Sequence, residues 1–166
     1  MTPPVADAWQ ALVQRVVTEC RAGLGTDLVA LALFGSVARG AAGPASDLDL
    51  YVVVWTRPIS LFDQRFEWLL RIRETPEYQV LAAQGYRPEP MPVIHSLQEL
   101  RGHPWILLDI THHGIILYDP EGILAYELDA VRARLAELGA RRVALPDGRW
   151  YWDLKPDWRP GEVIEL

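Results

Sequence analysis

The chain of 166 residues has one cysteine, Cys20, so it can close no internal disulfide. It has no uninterrupted apolar stretch of the roughly 20 residues that a membrane-spanning helix requires. Basic residues are in deficit, with 16 Lys and Arg against 22 Asp and Glu and a formal charge of −6. That field opposes direct attachment to a nucleic-acid backbone and suits a basic partner or a metal-bridged nucleotide. No basic-then-apolar leader, internal repeat, low-complexity tract or block of like charge is visible. With the lone thiol, this makes a cytoplasmic protein with no membrane role the expectation. Composition excludes intrinsic disorder, since 50% of the residues are hydrophobic and 23% charged.

What is present reads as alternating helices and strands. Val5, Trp9, Leu12, Val13, Val16, Val17 and Cys20 recur at helical spacing, which predicts an amphipathic helix ended by Gly23 and Gly25 and puts Cys20 in the core. Leu28 to Phe34 and Leu48 to Trp55 read as buried strands, and a helical stretch runs from about residue 60 to residue 83, broken or kinked at Pro76. Met91 to His95, crowded by prolines, reads as an edge strand. A short capped helix and a second helix ending near Gly114 follow, then a strand from Ile115 to Tyr118 and an amphipathic helix from Glu121 to Leu138. Asp147-Gly148 marks a hairpin turn that sets Trp150 and Trp152 on one face, and the prolines beyond Lys155 suggest an extended tail. The fold class expected is α/β (α+β): a mixed sheet with the first two strands central, helices packed on it, and a C-terminal β-hairpin.

One stretch, "FGSVARGAAGPASDLDLYVVV" from Phe34 to Val54, carries the chemistry. Residues two apart on a strand share a face, so Asp47 and Asp49 project together while Leu48 and Leu50 enter the core behind them. Two carboxylates so placed repel unless a cation lies between them, and a hard divalent ion such as Mg²⁺ fits that position. Upstream, Gly35-Ser36 ends a strand and supplies unpartnered backbone N–H groups and a hydroxyl suited to phosphate. Arg39 can neutralise a phosphate oxygen, and the small residues Gly40 to Gly43 leave room for a ligand.

Gly35-Ser36, ten residues, then Asp47-Leu48-Asp49 resembles the GS-x10-DxD signature of minimal nucleotidyltransferases in the DNA polymerase β superfamily. "LFGSVARG" and "SDLDLYVV" resemble that family's flanking segments, and the likeness covers about residues 28–119, with the helix, hairpin and tail of 121–166 appended in one domain. The resemblance implies a small mixed sheet with helices on one side. It also implies two Mg²⁺ ions held by Asp47 and Asp49, and a triphosphate, ATP or another, held by Gly35, Ser36 and Arg39. A nucleoside monophosphate, AMP in the favoured case, would pass to a hydroxyl. Relatives of this size serve as antitoxins that act on a HEPN-family toxin, so a HEPN protein encoded nearby is the implied partner. A catalytically weak module that masks its partner, or transfer to a small molecule, are the alternatives. The family's third carboxylate has no clear counterpart here: Pro92 and Val93 stand where it is expected, and Glu89 and Asp109 are the nearest acids.

The remaining polar residues point elsewhere. The four histidines match no zinc spacing, because His112 and His113 are adjacent and His95 and His103 stand apart. Arg65, Arg71 and Arg73 read as a solvated helix face.

Overall fold

A computed structural model describes residues 5–56, 66–146 and 150–166. Helix α1 (Val5–Leu24) buries most of the predicted stripe from Trp9 to Cys20, and it runs through Gly23 to stop before Gly25, whose φ of +54° does not continue a right-handed α-helix. Burial pushes the Cys20 thiol up to about 12, as expected for a core cysteine. Strand β1 (Leu28–Leu33) is buried at every position. A bulge at Leu28/Ala30 turns both Val29 and Ala30 to one face, while Leu28, Leu31 and Leu33 serve the other.

After the short helix α2 (Gly35–Ala38) and a loop, β2 (Leu48–Val54) returns antiparallel to β1. Antiparallel neighbours need only a two-residue turn. Residues 34–47 are far longer than that, and this surplus chain carries the candidate residues.

Helices α3 (Trp68–Arg71) and α4 (Pro76–Ala83) make the crossover to β3 (Pro90–Ser96), which pairs parallel with β2. Pro76 does not break a helix here. It stands at the first position of α4, where its missing N–H costs nothing, and Thr75 caps that turn by accepting the Tyr78 N–H. The earlier part of the expected helix and the Asp147-Gly148 turn lie outside the described residues. Ser96 and Glu99 form a capping box at α5 (Leu97–Leu100), followed by α6 (Leu107–His113), β4 (Ile115–Tyr118) and α7 (Ile123–Glu137).

The sheet order is β3-β2-β1-β4, with the two predicted central strands in the centre. Strands β5 (Arg141–Ala144) and β6 (Trp150–Asp153) pair as the C-terminal hairpin. Trp150 and Trp152 share its face as expected, with ring centroids 6.3 Å apart, and Trp152 packs against the core.

Two features depart from expectation. Helices cover both sheet faces rather than one: α1, α3 and α4 pack on Leu48, Leu50, Val52 and Val54, while α5, α6 and α7 pack on Tyr51 and Val53. β2 alternates between two apolar layers, so either layer alone would leave half of its side chains in water. The tail is not extended either. Lys155 pairs with Glu162 at 2.7 Å, Trp158 Nε1 donates to the Glu162 carbonyl, and Leu166 reaches the core.

No described helix is long and apolar enough to cross a membrane. Leu50 is wholly buried on the face opposite the carboxylates. Leu50→Ala is expected to cost about 2–5 kcal/mol in urea unfolding, as a fully packed leucine should; a loss below about 1 kcal/mol would contradict this packing.

Candidate functional site

Asp47 precedes β2 and is exposed, whereas Asp49, inside the strand, is half-buried. Asp49 continues the row of Tyr51 and Val53, so its face is the one covered by α5, α6 and α7. The chain entering the site from β1 turns sharply at Gly35, whose φ is +73°. A Cβ on residue 35 would lie 1.9 Å from Asp49 Oδ2 and 2.8 Å from Asp49 Cγ, so only glycine lets the carboxylate rest there. The Phe34 N–H donates to the Asp49 carbonyl at 3.0 Å and fixes the approach.

Gly35 and Asp49 are therefore in contact. Arg39 lies near enough to draw the Asp49 carboxyl downward, but burial, and after it the charge of Asp47, outweigh this and hold it above the usual aspartate range. Such a pair is what a divalent cation relieves. The donor set, one exposed and one half-buried carboxylate, fits a hard ion of the Mg²⁺ type, which Asp47 and Asp49 could hold.

Ser36 sits at the start of α2, half-buried. Its hydroxyl is 2.9 Å from that of Ser46, and Ser46 Oγ also accepts the Gly43 N–H at 2.9 Å. Sequence gives Ser46 no separate role, although it opens the segment "SDLDLYVV" and immediately precedes Asp47.

The candidate third acids do not join this group. Among the described residues no set of three His, Cys, Asp or Glu is arranged to hold a metal. Glu89 is engaged by Arg73, which donates to it through Nε at 2.9 Å. Asp109 is exposed in the first turn of α6. The strand register corrects the expected neighbour: Met91, not Pro92 or Val93, is the partner of Asp49, and it is 52% exposed. Pro92 pairs with Leu50 and Val93 with Tyr51.

The histidines serve other contacts. His95 Nδ1 meets the buried Tyr51 hydroxyl at 3.1 Å, and His103 Nε2 meets Glu127 at 2.9 Å. His112 stacks near Trp150 and Trp152 and is held below the usual imidazole value by burial and by Arg142 and His113. Arg71 and Arg73 pair with Glu19 and Glu89, while Arg65 lies outside the described residues.

The raised Asp49 carboxyl has a signed consequence. The folded chain holds that proton more tightly than the unfolded one, so the group favours folding below the ordinary aspartate value and withdraws this as pH rises through the folded value. Without divalent cations, Asp49→Asn is expected to raise Tm at pH 7 by roughly 1–3 °C, a gain that shrinks on acidification. Gly35→Ala should lower Tm by roughly 4 °C or more, because the new Cβ meets the carboxylate and the backbone is left-handed. Thermal unfolding in a chelating buffer reads both; an Asp49→Asn protein less stable than its parent at pH 7 would refute the first.

The sequence profile of the nucleotidyltransferase domain matches residues 13–81, from α1 through both aspartates to α4. No functionally characterised protein compared with the chain matches it in sequence. A solved toxin-antitoxin structure with AMP-PNP is similar with a TM-score of 0.50 and 16% identity, over 76% of this chain and 92% of that one. Spectinomycin adenyltransferase from Enterococcus faecialis, solved with ATP and spectinomycin, gives 0.51 and 17% identity, over 78% of this chain and 66% of the enzyme. At these identities the solved structures speak for the fold, and the profile speaks for the segment that holds the candidate site. The chain is thus similar to the nucleotidyltransferase-domain profile over residues 13–81, and it shares its fold with the solved toxin-antitoxin and adenyltransferase structures.

Proposed function

We propose that the protein is a Mg²⁺-dependent minimal nucleotidyltransferase that moves a nucleoside monophosphate, AMP from ATP, to a hydroxyl of a protein partner, a HEPN-family toxin encoded nearby. One observation carries the reading: the Asp49 carboxylate rests against Gly35, at the step that presents the Ser36 hydroxyl, with the charges of Asp47 and Arg39 acting on it. Metal-binding and phosphate-binding chemistry thus meet at one point of the chain.

Asp47 and Asp49 would hold the metal, which when bound neutralises charge on the triphosphate and on the leaving group. Ser36 and the backbone around Gly35 would hold phosphate oxygens, and Arg39 would pair with one of them. The acceptor oxygen would form a bond to the α-phosphorus as the bond to pyrophosphate breaks, and the acceptor proton would leave to solvent or to a base on the partner. The solved toxin-antitoxin with AMP-PNP, matched over 92% of its length, supports a protein acceptor, and the GS-x10-DxD resemblance supports the HEPN class. A small-molecule acceptor has less support, since only 66% of the spectinomycin enzyme's length is matched.

A second reading rests on Met91. With a methionine in register with Asp49 and no third acid grouped with the pair among the described residues, a module that masks its toxin without modifying it is the competing reading. One assay separates the two: the protein, the neighbouring HEPN protein, Mg²⁺ and each nucleoside triphosphate are incubated, and the intact mass of the partner is measured. Transfer predicts a mass gain of one or more nucleoside monophosphates, lost with chelator and reduced at least about 100-fold in rate by Asp47→Asn. An unmodified partner in a tight, inactive complex would favour masking.

A further inference from the structure

The loop from Ser36 to Ser46 is closed on itself by hydrogen bonds whose direction matters. The Ala41 N–H donates to the Ser36 carbonyl at 2.9 Å and the Ser46 N–H to the Gly43 carbonyl at 3.0 Å, while the Gly43 N–H returns to Ser46 Oγ at 2.9 Å. The hydroxyls of Ser36 and Ser46, also 2.9 Å apart, complete the ring. Each hydroxyl has one proton to give and two lone pairs to receive with, whereas a backbone N–H can only donate. Gly43 therefore fixes Ser46 Oγ as an acceptor on one side, and the bond between the serines can run either way.

If Ser36 donates to Ser46, the Ser36 proton is spent and the hydroxyl has only lone pairs to offer an anion. If Ser46 donates to Ser36, the Ser36 proton is released. Phosphate oxygens only accept, so a bound triphosphate selects the second arrangement. We infer that Ser46 is a positioning residue that orients the Ser36 hydroxyl toward the triphosphate through a one-way relay, from the Gly43 N–H to the Ser46 O–H to the Ser36 O–H to a phosphate oxygen. This rests on the reading of the site as a nucleotide site. Bonds aligned head to tail polarise one another, so the last donor is stronger than a lone serine. Ser46 also adjoins Asp47, so a collapse of the loop, unlike loss of the relay alone, would shift that acid.

The test measures AMP-PNP binding in Mg²⁺ by calorimetry for the parent, Ser36→Ala, Ser46→Ala, Ser46→Thr and the Ser36→Ala/Ser46→Ala pair, with Mn²⁺ binding to the free proteins measured beside it. Ser46→Ala is expected to weaken AMP-PNP binding about tenfold, the scale of one hydrogen bond to a charged group, and Ser46→Thr, which keeps the hydroxyl, by no more than about threefold. The double variant should bind no more weakly than Ser36→Ala alone, because Ser46 acts only through Ser36. Mn²⁺ affinity should stay within about twofold of the parent throughout, whereas a collapsed loop would displace Asp47 and lower it. Ser46→Cys, close to serine in size but a weak donor, takes the place of Ser46→Ala if the latter does not fold, with the same loss expected. AMP-PNP binding unchanged in Ser46→Ala, or a loss that adds fully to that of Ser36→Ala, overturns the relay and leaves the nucleotide site standing. Absence of AMP-PNP binding by the parent overturns both.

Discussion

The space that a side chain on residue 35 would need is taken by the carboxylate of Asp49. That exclusion joins the end of β1 to the start of β2 and obliges the chain between them to begin with a left-handed glycine. From it follow the position of Ser36 and the start of the long loop that returns to both acids at the beginning of β2. The apolar residues of β2 could be exchanged for others of similar volume at modest cost. Gly35 has no such latitude, because the Asp49 side chain fills the space that any Cβ there would need.

The sheet supplies the rigidity that this contact needs. β1 and β2 lie between two apolar layers, and Asp49 stands at the head of a row that continues into the buried Tyr51 and Val53. Below Asp49 the row ends its polarity at Tyr51, whose hydroxyl meets His95 and whose phenol is pushed above its usual value by burial and by the charge of Glu99. A carboxylate at the rim of such a row is costly to charge and cannot drift away from its neighbour. It is also held ready for a cation without the reorganisation a loop carboxylate would require.

Much of this was legible in the sequence because the signals were local. The seven-residue apolar run before Gly35 and the apolar stretch from Leu48 to Trp55 marked the central strands, prolines marked β3 as an edge, and the spacing of Gly35-Ser36 from Asp47-Leu48-Asp49 singled out Gly35 and Asp49, which the fold brings into contact. The misses were of a different kind. Pro76 reads as a breaker or as a starter according to whether a cap precedes it, and Thr75 decides for the starter. The second helical layer was invisible because strand alternation cannot say what covers each face. Met91 beside Asp49 depends on the register of two strands far apart in sequence, and the bond between Ser36 and Ser46 spans a loop whose path no periodicity records. Contacts closed over distance are set by the whole fold, and the acid pair was readable because its members are nearly adjacent.

The prolines of β3 have a consequence for the sheet as a whole. Pro90 and Pro92 are two residues apart, so the N–H groups they lack belong to the same side of the strand, the side turned away from β2. The outer rim on that side has donors missing at alternate positions. β4 at the opposite rim contains no proline and exposes Ile115 and Ile116. The four-stranded sheet is thus polar in its capacity to grow: one margin is chemically closed to a further strand, and the other keeps a full set of backbone donors.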